Sequence, residues 1–168
     1  MAPIPTHLRG RAVEPAWSDP HRELDTSWQW RGGVACIQHH RHLQIKYYGE
    51  LVRDNLIADE DDGCQLINLE CASCDDKFVG FDAELHGHDA GLGYVDASKS
   101  DRAAKHIFQC KCGSTTFDIA AGVFYHPADD MDEEPAEGDI GNLFESIAIE
   151  AKCIACGEQY WPVEYETA

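Results

Sequence analysis

Basic residues are scarce in this chain: 13 Lys and Arg stand against 31 Asp and Glu, a formal net charge of −18 over 168 residues. The shortfall is uneven. Residues 1–57 hold seven basic and six acidic residues, and residues 58–168 hold six and twenty-five. A surface of that sign repels phosphate backbones and anionic membranes, and it draws basic partners or metal cations. Simple solubility is the bland alternative reading of the same charge. Long apolar runs are missing too. Nothing approaches the roughly 18 residues of a membrane span, and Met1-Ala2-Pro3-Ile4-Pro5-Thr6-His7 has no apolar core of a secretory signal. There is no Gly-x-Ser-x-Gly elbow, no His-Glu-x-x-His helix, no phosphate loop, no heptad and no low-complexity tract. These absences leave no familiar hydrolase or nucleotide-binding chemistry to build on.

What the chain does have is eight cysteines. With no export signal they point to a reducing, cytoplasmic setting in which thiols bind metal rather than pair. A thioredoxin-type motif would open a helix beside a βαβ unit, and neither Cys71/Cys74 nor Cys153/Cys156 sits in a helical pattern.

Residues 106–168 carry the strongest signal. Ile107 and Phe108 lead into Cys110-Lys111-Cys112-Gly113, and Ile147 and Ile149 lead into Cys153-Ile154-Ala155-Cys156-Gly157. Each pair is followed by a β-type run, through Phe117 and Ile119 in one case and Tyr160 to Tyr165 in the other. A strand, a tight turn with two thiolates and a second strand make a zinc knuckle. Two facing knuckles supply the four sulfurs that tetrahedral Zn²⁺ prefers. The glycines suit turns that need positive φ. Four thiolates fill the coordination shell, so the site is structural, and its binding energy of roughly 10–16 kcal/mol is folding energy.

The first half repeats that order. Cys36 and His39 have knuckle spacing, Leu43, Ile45 and Tyr47 alternate as a strand, and Ile67 and Leu69 lead into Cys71-Ala72-Ser73-Cys74. Acidic loops, Asp59–Asp62 and Asp129–Glu137, fall at matching places. A repeat of about 70 residues follows. Cys36, His39, Cys71 and Cys74 fit it best as a second zinc set, for two Zn²⁺ per chain. His40 and His42 are neighbours that could replace His39, and Cys64 or His86 could enter from elsewhere. The expected division is an extended, proline-rich arm at 1–33, a first ribbon at 34–85, a connection at 86–105 with a short helix from Ser100 to Lys105, and a second ribbon at 106–168. Trp28 and Trp30 would dock the arm.

The Cys-x-Cys-Gly and Cys-x-x-Cys-Gly pairs between Phe108 and Glu166 resemble the zinc-ribbon, or rubredoxin-like, class of small β domains. The chain also resembles small uncharacterised bacterial zinc-ribbon proteins that end in a Tyr-Glu motif, here Tyr165-Glu166. Its Cys-x-Cys departs from the commoner Cys-x-x-Cys. The resemblance implies structural metal and a platform for partners, and fold-level analogy implies no reaction.

The expectation is therefore an all-β protein of two tandem zinc ribbons. It would act as an acidic protein-interaction module of inhibitor, immunity or adaptor type, with a basic protein partner and no turnover of its own. A metal-dependent hydrolase centred on His86, His88 and Asp89 is the runner-up, since two histidines and a carboxylate can hold a water-activating metal. A turn is the simpler reading of that stretch. A nucleic-acid-associated ribbon is third. It is disfavoured because the second ribbon and its lead-in offer only Lys105, Lys111 and Lys152, which leaves it possible only for the arm with Arg9, Arg11, Arg22 and Arg31.

Overall fold

The computed structural model describes residues 4–13, 30–51, 57–58, 66–83, 85–87, 104, 106–125, 141 and 143–166. Among them there is no α-helix. A 3-10 turn, η1 (Thr6–Leu8), precedes β1 (Ala12–Val13), β2 (Trp30–Val34), β3 (His42–Tyr48), β4 (Glu50–Leu51), β5 (Ile57–Ala58), β6 (Leu66–Cys71), β7 (Lys77–Asp82), β8 (His106–Ile107), β9 (Phe117–Tyr125), β10 (Phe144–Cys153) and β11 (Gln159–Glu166). The fold is all-β, as the alternating apolar runs require. Strands β4 and β5 form a separate two-stranded ribbon, and the other nine share one antiparallel sheet.

Period-2 patterning sets which side of each strand is buried. Leu43, Ile45 and Tyr47 on β3 are buried, as are Ile67, Leu69 and Cys71 on β6, and Phe117, Ile119, Ala121 and Val123 on β9. Ile147, Ile149, Ala151 and Cys153 continue the same core from β10. Phe108 stands edge-on to Phe117 and to Tyr160, with ring centroids 5.4 and 5.3 Å apart. That aromatic cluster lies beside the second cysteine group, because Phe108 precedes Cys110 by two residues and Tyr160 reaches back to it.

The sheet has two three-stranded parts, β3-β6-β7 and β9-β10-β11, with matching registers. Leu43↔Cys71 and Glu70↔Lys77 in the first correspond to Phe117↔Cys153 and Lys152↔Gln159 in the second. Each part also carries an irregularity at the corresponding place, after Ile67 and after Ile149. In the second part the irregularity spans Pro162, which has no N–H to give a ladder. The two parts join where His42↔Asp118 and Leu43↔Phe117 pair β3 with β9.

The expected arm at 1–33 is not merely an extended lead-in. It supplies η1, β1 and most of β2, and β2 pairs with β9 over Trp30↔Val123 to Val34↔Ile119. Trp30 is buried in the core. Trp28, both acidic loops and the helix expected at 100–105 (Ala104 apart) lie outside the described residues.

Candidate metal centres

Each cysteine-bearing turn is held by its own backbone before any side chain is considered. In the second half, Cys110 N–H donates to Ser114 O at 2.8 Å and Gly113 N–H to Cys110 O at 2.8 Å. Cys153 N–H donates to Glu158 O at 2.8 Å, and Gly157 N–H to Cys153 O at 2.9 Å. Gly113 and Gly157 have φ of 90° and 78°, the left-handed region that side chains resist. These turns aim four sulfurs at one point. Cys110 Sγ lies 3.4 Å from Cys156 Sγ and Cys112 Sγ 3.7 Å from Cys153 Sγ, and all four lie within 4.8 Å of one another. A tetrahedral zinc with Zn–S bonds of about 2.3 Å needs S···S separations of about 3.8 Å. The spacing fits.

The first half brings together Cys36, His40, Cys71 and Cys74, again within 4.8 Å. Cys36 Sγ is 3.8 Å from Cys74 Sγ, and Cys71 Sγ is 3.5 Å from His40 Nδ1. Shorter metal–nitrogen bonds of about 2.0 Å imply an S···N separation of about 3.5 Å, so this spacing fits as well. The histidine in the group is His40, not His39. His39 N–H donates to Cys36 O at 2.8 Å and takes φ of 65°, the turn position that Gly113 fills in the other half. That conformation leaves the His39 ring exposed and delivers the next residue to the sulfurs. His42 begins β3 with an exposed side chain. Cys64, His88 and Asp89 lie outside the described residues.

Amide and hydroxyl donors surround the sulfurs. His40 N–H donates to Cys36 Sγ and Ser73 N–H to Cys71 Sγ, each at 3.3 Å. The Tyr160 hydroxyl donates to Cys110 Sγ at 3.3 Å while accepting Lys111 N–H at 3.0 Å. Burial and the neighbouring sulfur push the Tyr160 phenol up to about 12, so it stays a donor. Asp76 braces the first centre, accepting Ile37 N–H at 2.9 Å and pairing with Arg11. The Arg11 guanidinium and that N–H hold its carboxyl below the usual range. Nothing in sequence spacing singles out Tyr160 or Asp76.

The thiols do not titrate alike. Burial opposes the Cys153 thiolate, but the N–H groups of Cys156 and Ala155 and the thiols of Cys110 and Cys112 outweigh it, bringing Cys153 to about 6. At Cys156 an N–H from Glu158 favours the thiolate, but Cys110, burial and the other sulfurs prevail and push it up to about 12. In the first centre Cys36 is lowered, its amide and thiol donors overcoming burial. Cys74 is pushed up to about 11, where burial and the neighbouring thiols override the favourable Asp76 N–H. One deprotonated sulfur makes its neighbours keep their protons, the expected frustration of thiols packed at ligand distance. A divalent cation at the centre of each group would relieve it.

His86 lies apart from both groups. Its ring stacks on that of His7, with centroids 3.8 Å apart and planes within 8°, and its Nδ1 accepts Asp82 N–H at 3.0 Å. Burial lowers it to about 4. That ring is engaged in packing.

No helix among the described residues is long and apolar enough to cross a membrane. No family model, no curated protein and no solved structure matches this chain.

Proposed function

We propose that this protein is a zinc-dependent interaction module: two tandem ribbons, each closed by one structural Zn²⁺, presenting an acidic surface to a basic protein partner. One observation carries the metal part, the convergence of Cys110, Cys112, Cys153 and Cys156 and of Cys36, His40, Cys71 and Cys74 into two separate tetrads. Four protein ligands fill a tetrahedral shell and leave no position for water or substrate, so each metal would stabilise the fold rather than catalyse. The repeated strand registers support the tandem reading. The role as an inhibitor, immunity protein or adaptor rests on charge alone. Acidic residues outnumber basic ones by 31 to 13, and the runs at 59–62 and 129–137 have the composition of recognition loops.

The test compares proteins captured by wild type with those captured by a variant in which Asp129, Asp130, Asp132, Glu133 and Glu134 are changed to Asn or Gln. Loss of basic partners from the variant, and weaker capture by wild type as salt screens the charge, is the expected result. An unchanged partner set, or submicromolar binding of wild type to nucleic acid at physiological salt, contradicts it. Metal-dependent hydrolysis abolished by His88→Ala would favour the hydrolase reading instead.

A further inference from the structure

We infer that the two metal centres load cooperatively, because each half of the sheet carries a ligand of the other half's centre. Cys36 belongs to the first centre, but it follows β2, whose ladder partner is β9 of the second half, ending at Val34↔Ile119. Cys110 belongs to the second centre, but it follows β8, which pairs with β3 of the first half through Lys46↔Ile107 and Tyr47↔His106. Phe108 N–H extends that ladder to Ile45 O at 2.9 Å. The two exchanges are equivalent in register. Gly33↔Ala120 and Gly32↔Ala121 on β2 and β9 stand where Ile107↔Lys46 and His106↔Tyr47 stand on β8 and β3.

Beyond the ring contacts of Phe81 with Phe144 and Tyr165, with centroids 6.4 and 5.4 Å apart, the halves meet along a seam at the strand starts. His42↔Asp118 and Leu43↔Phe117 pair the strand starts. Arg41 Nη2 meets Asp118 Oδ1 at 3.1 Å, and Gln44 Nε2 donates to Thr115 Oγ1 at 3.2 Å. From this seam each partner knuckle is held by one equivalent bond. Ala72 N–H donates to His42 O at 3.1 Å, and Ile154 N–H to Thr116 O at 3.2 Å.

The consequence is thermodynamic. A metal in the second centre draws Cys112 and Cys153 together and so orders the ends of β9 and β10. An ordered β9 is the template for β2 and therefore for Cys36. The reverse path runs from the first centre through β3 to β8 and Cys110. Linkage is reciprocal, so each metal raises the affinity for the other by one common factor, expected to be on the order of tenfold. Zinc occupancy then responds to free zinc more steeply than two isolated ribbons would allow. The inference rests on the proposal that both groups bind zinc.

Zinc chloride titrated into the reduced, metal-free full chain and followed by native mass spectrometry tests it. Independent centres, equal or unequal, leave about half or more of the molecules with one zinc when empty and doubly loaded forms are equal. For centres of equal intrinsic affinity, tenfold coupling lowers that to about a quarter. The variant Arg41→Ala/Gln44→Ala keeps every ligand and removes the side-chain bonds of the seam. It should still bind two zincs and show a larger singly loaded fraction. A wild-type singly loaded fraction no smaller than the separately measured affinities of the two centres give overturns the coupling and leaves the zinc reading standing. Failure to bind zinc at all overturns both, and a variant indistinguishable from a cooperative wild type overturns the assigned route.

Discussion

Among the described residues, Glu150 is the most buried acid. It lies on β10, 4% exposed, and Arg31 reaches it across the sheet with Nη2 2.7 Å from Oε2. Burying a carboxylate is tolerable while a guanidinium meets it, and removing one member strands the other. Arg31→Met should therefore cost about 3–5 kcal/mol in urea unfolding of zinc-loaded protein, and the pair Arg31→Met/Glu150→Leu should recover most of it. A single-variant loss below about 1 kcal/mol, the range of exposed pairs, would contradict the assignment. At the first metal centre the decisive residue is His40. His40→Ala should weaken one zinc by tenfold or more in a chelator competition. His39→Asn, which keeps a residue tolerant of positive φ, should leave both affinities unchanged. Equal effects would show that the backbone turn does not choose the ligand. Spacing from Cys36 made both histidines visible in the sequence. The choice between them depends on a φ of 65° at His39, which no spacing rule encodes.

At the scale of elements, apolar alternation in Leu43–Tyr47, Leu66–Leu69 and Phe117–Val123 made the strands legible, and the cysteine pairs made the turns legible. The exchange of β2 and β8 was not legible. Trp30-Arg31-Gly32-Gly33-Val34 has two glycines where a strand would show side chains, and its partner lies far along the chain. The N-terminal segment reads in the sequence as an extended arm docked by its tryptophans, yet η1 also seats His7 against β7. His7 Nε2 donates to Gly80 O at 3.1 Å, its ring stacks on His86, and its Nδ1 is buried without a hydrogen-bond partner. Burial holds His7 well below its ordinary value, helped by its proximity to His86, and burial lowers His86 to about 4. Phe81 and Phe144 flank the pair, and Asp82 is the buried acid nearby. Both histidines bind protons more weakly folded than unfolded. Their contribution is therefore complete above the ordinary histidine value of about 6.5 and is lost as pH falls from there toward about 4. Amide exchange in residues 4–13, taken relative to the intrinsic rate at each pH, should rise over that window while the zinc count stays constant. His7→Phe should suppress the rise by keeping an uncharged ring in the stack. Exchange that follows zinc loss alone would contradict it.

At the scale of the whole molecule, the alternating runs pointed to the all-β class, composition to the excess of acid, and the cysteine spacing to the two candidate metal groups. None of these disclosed that both halves share one sheet, because pairing between distant strands depends on register rather than on local pattern. A single connected sheet has a consequence for stability. Chelating zinc from either half should unfold both, so thermal unfolding of the loaded protein should be one transition and the chelated protein should lose its strand signal throughout. Two separated transitions would mean that the halves fold alone. The claim on which all of this depends is that each group of ligands holds one zinc. Zinc-edge X-ray absorption, with metal counted on the same sample, measures it most directly. The ligand groups contain seven cysteines and one histidine. Two zincs per chain should therefore give a shell averaging about 3.5 sulfurs near 2.3 Å and about half a nitrogen near 2.0 Å per metal. Fewer than two zincs, or a shell dominated by oxygen, would contradict the account.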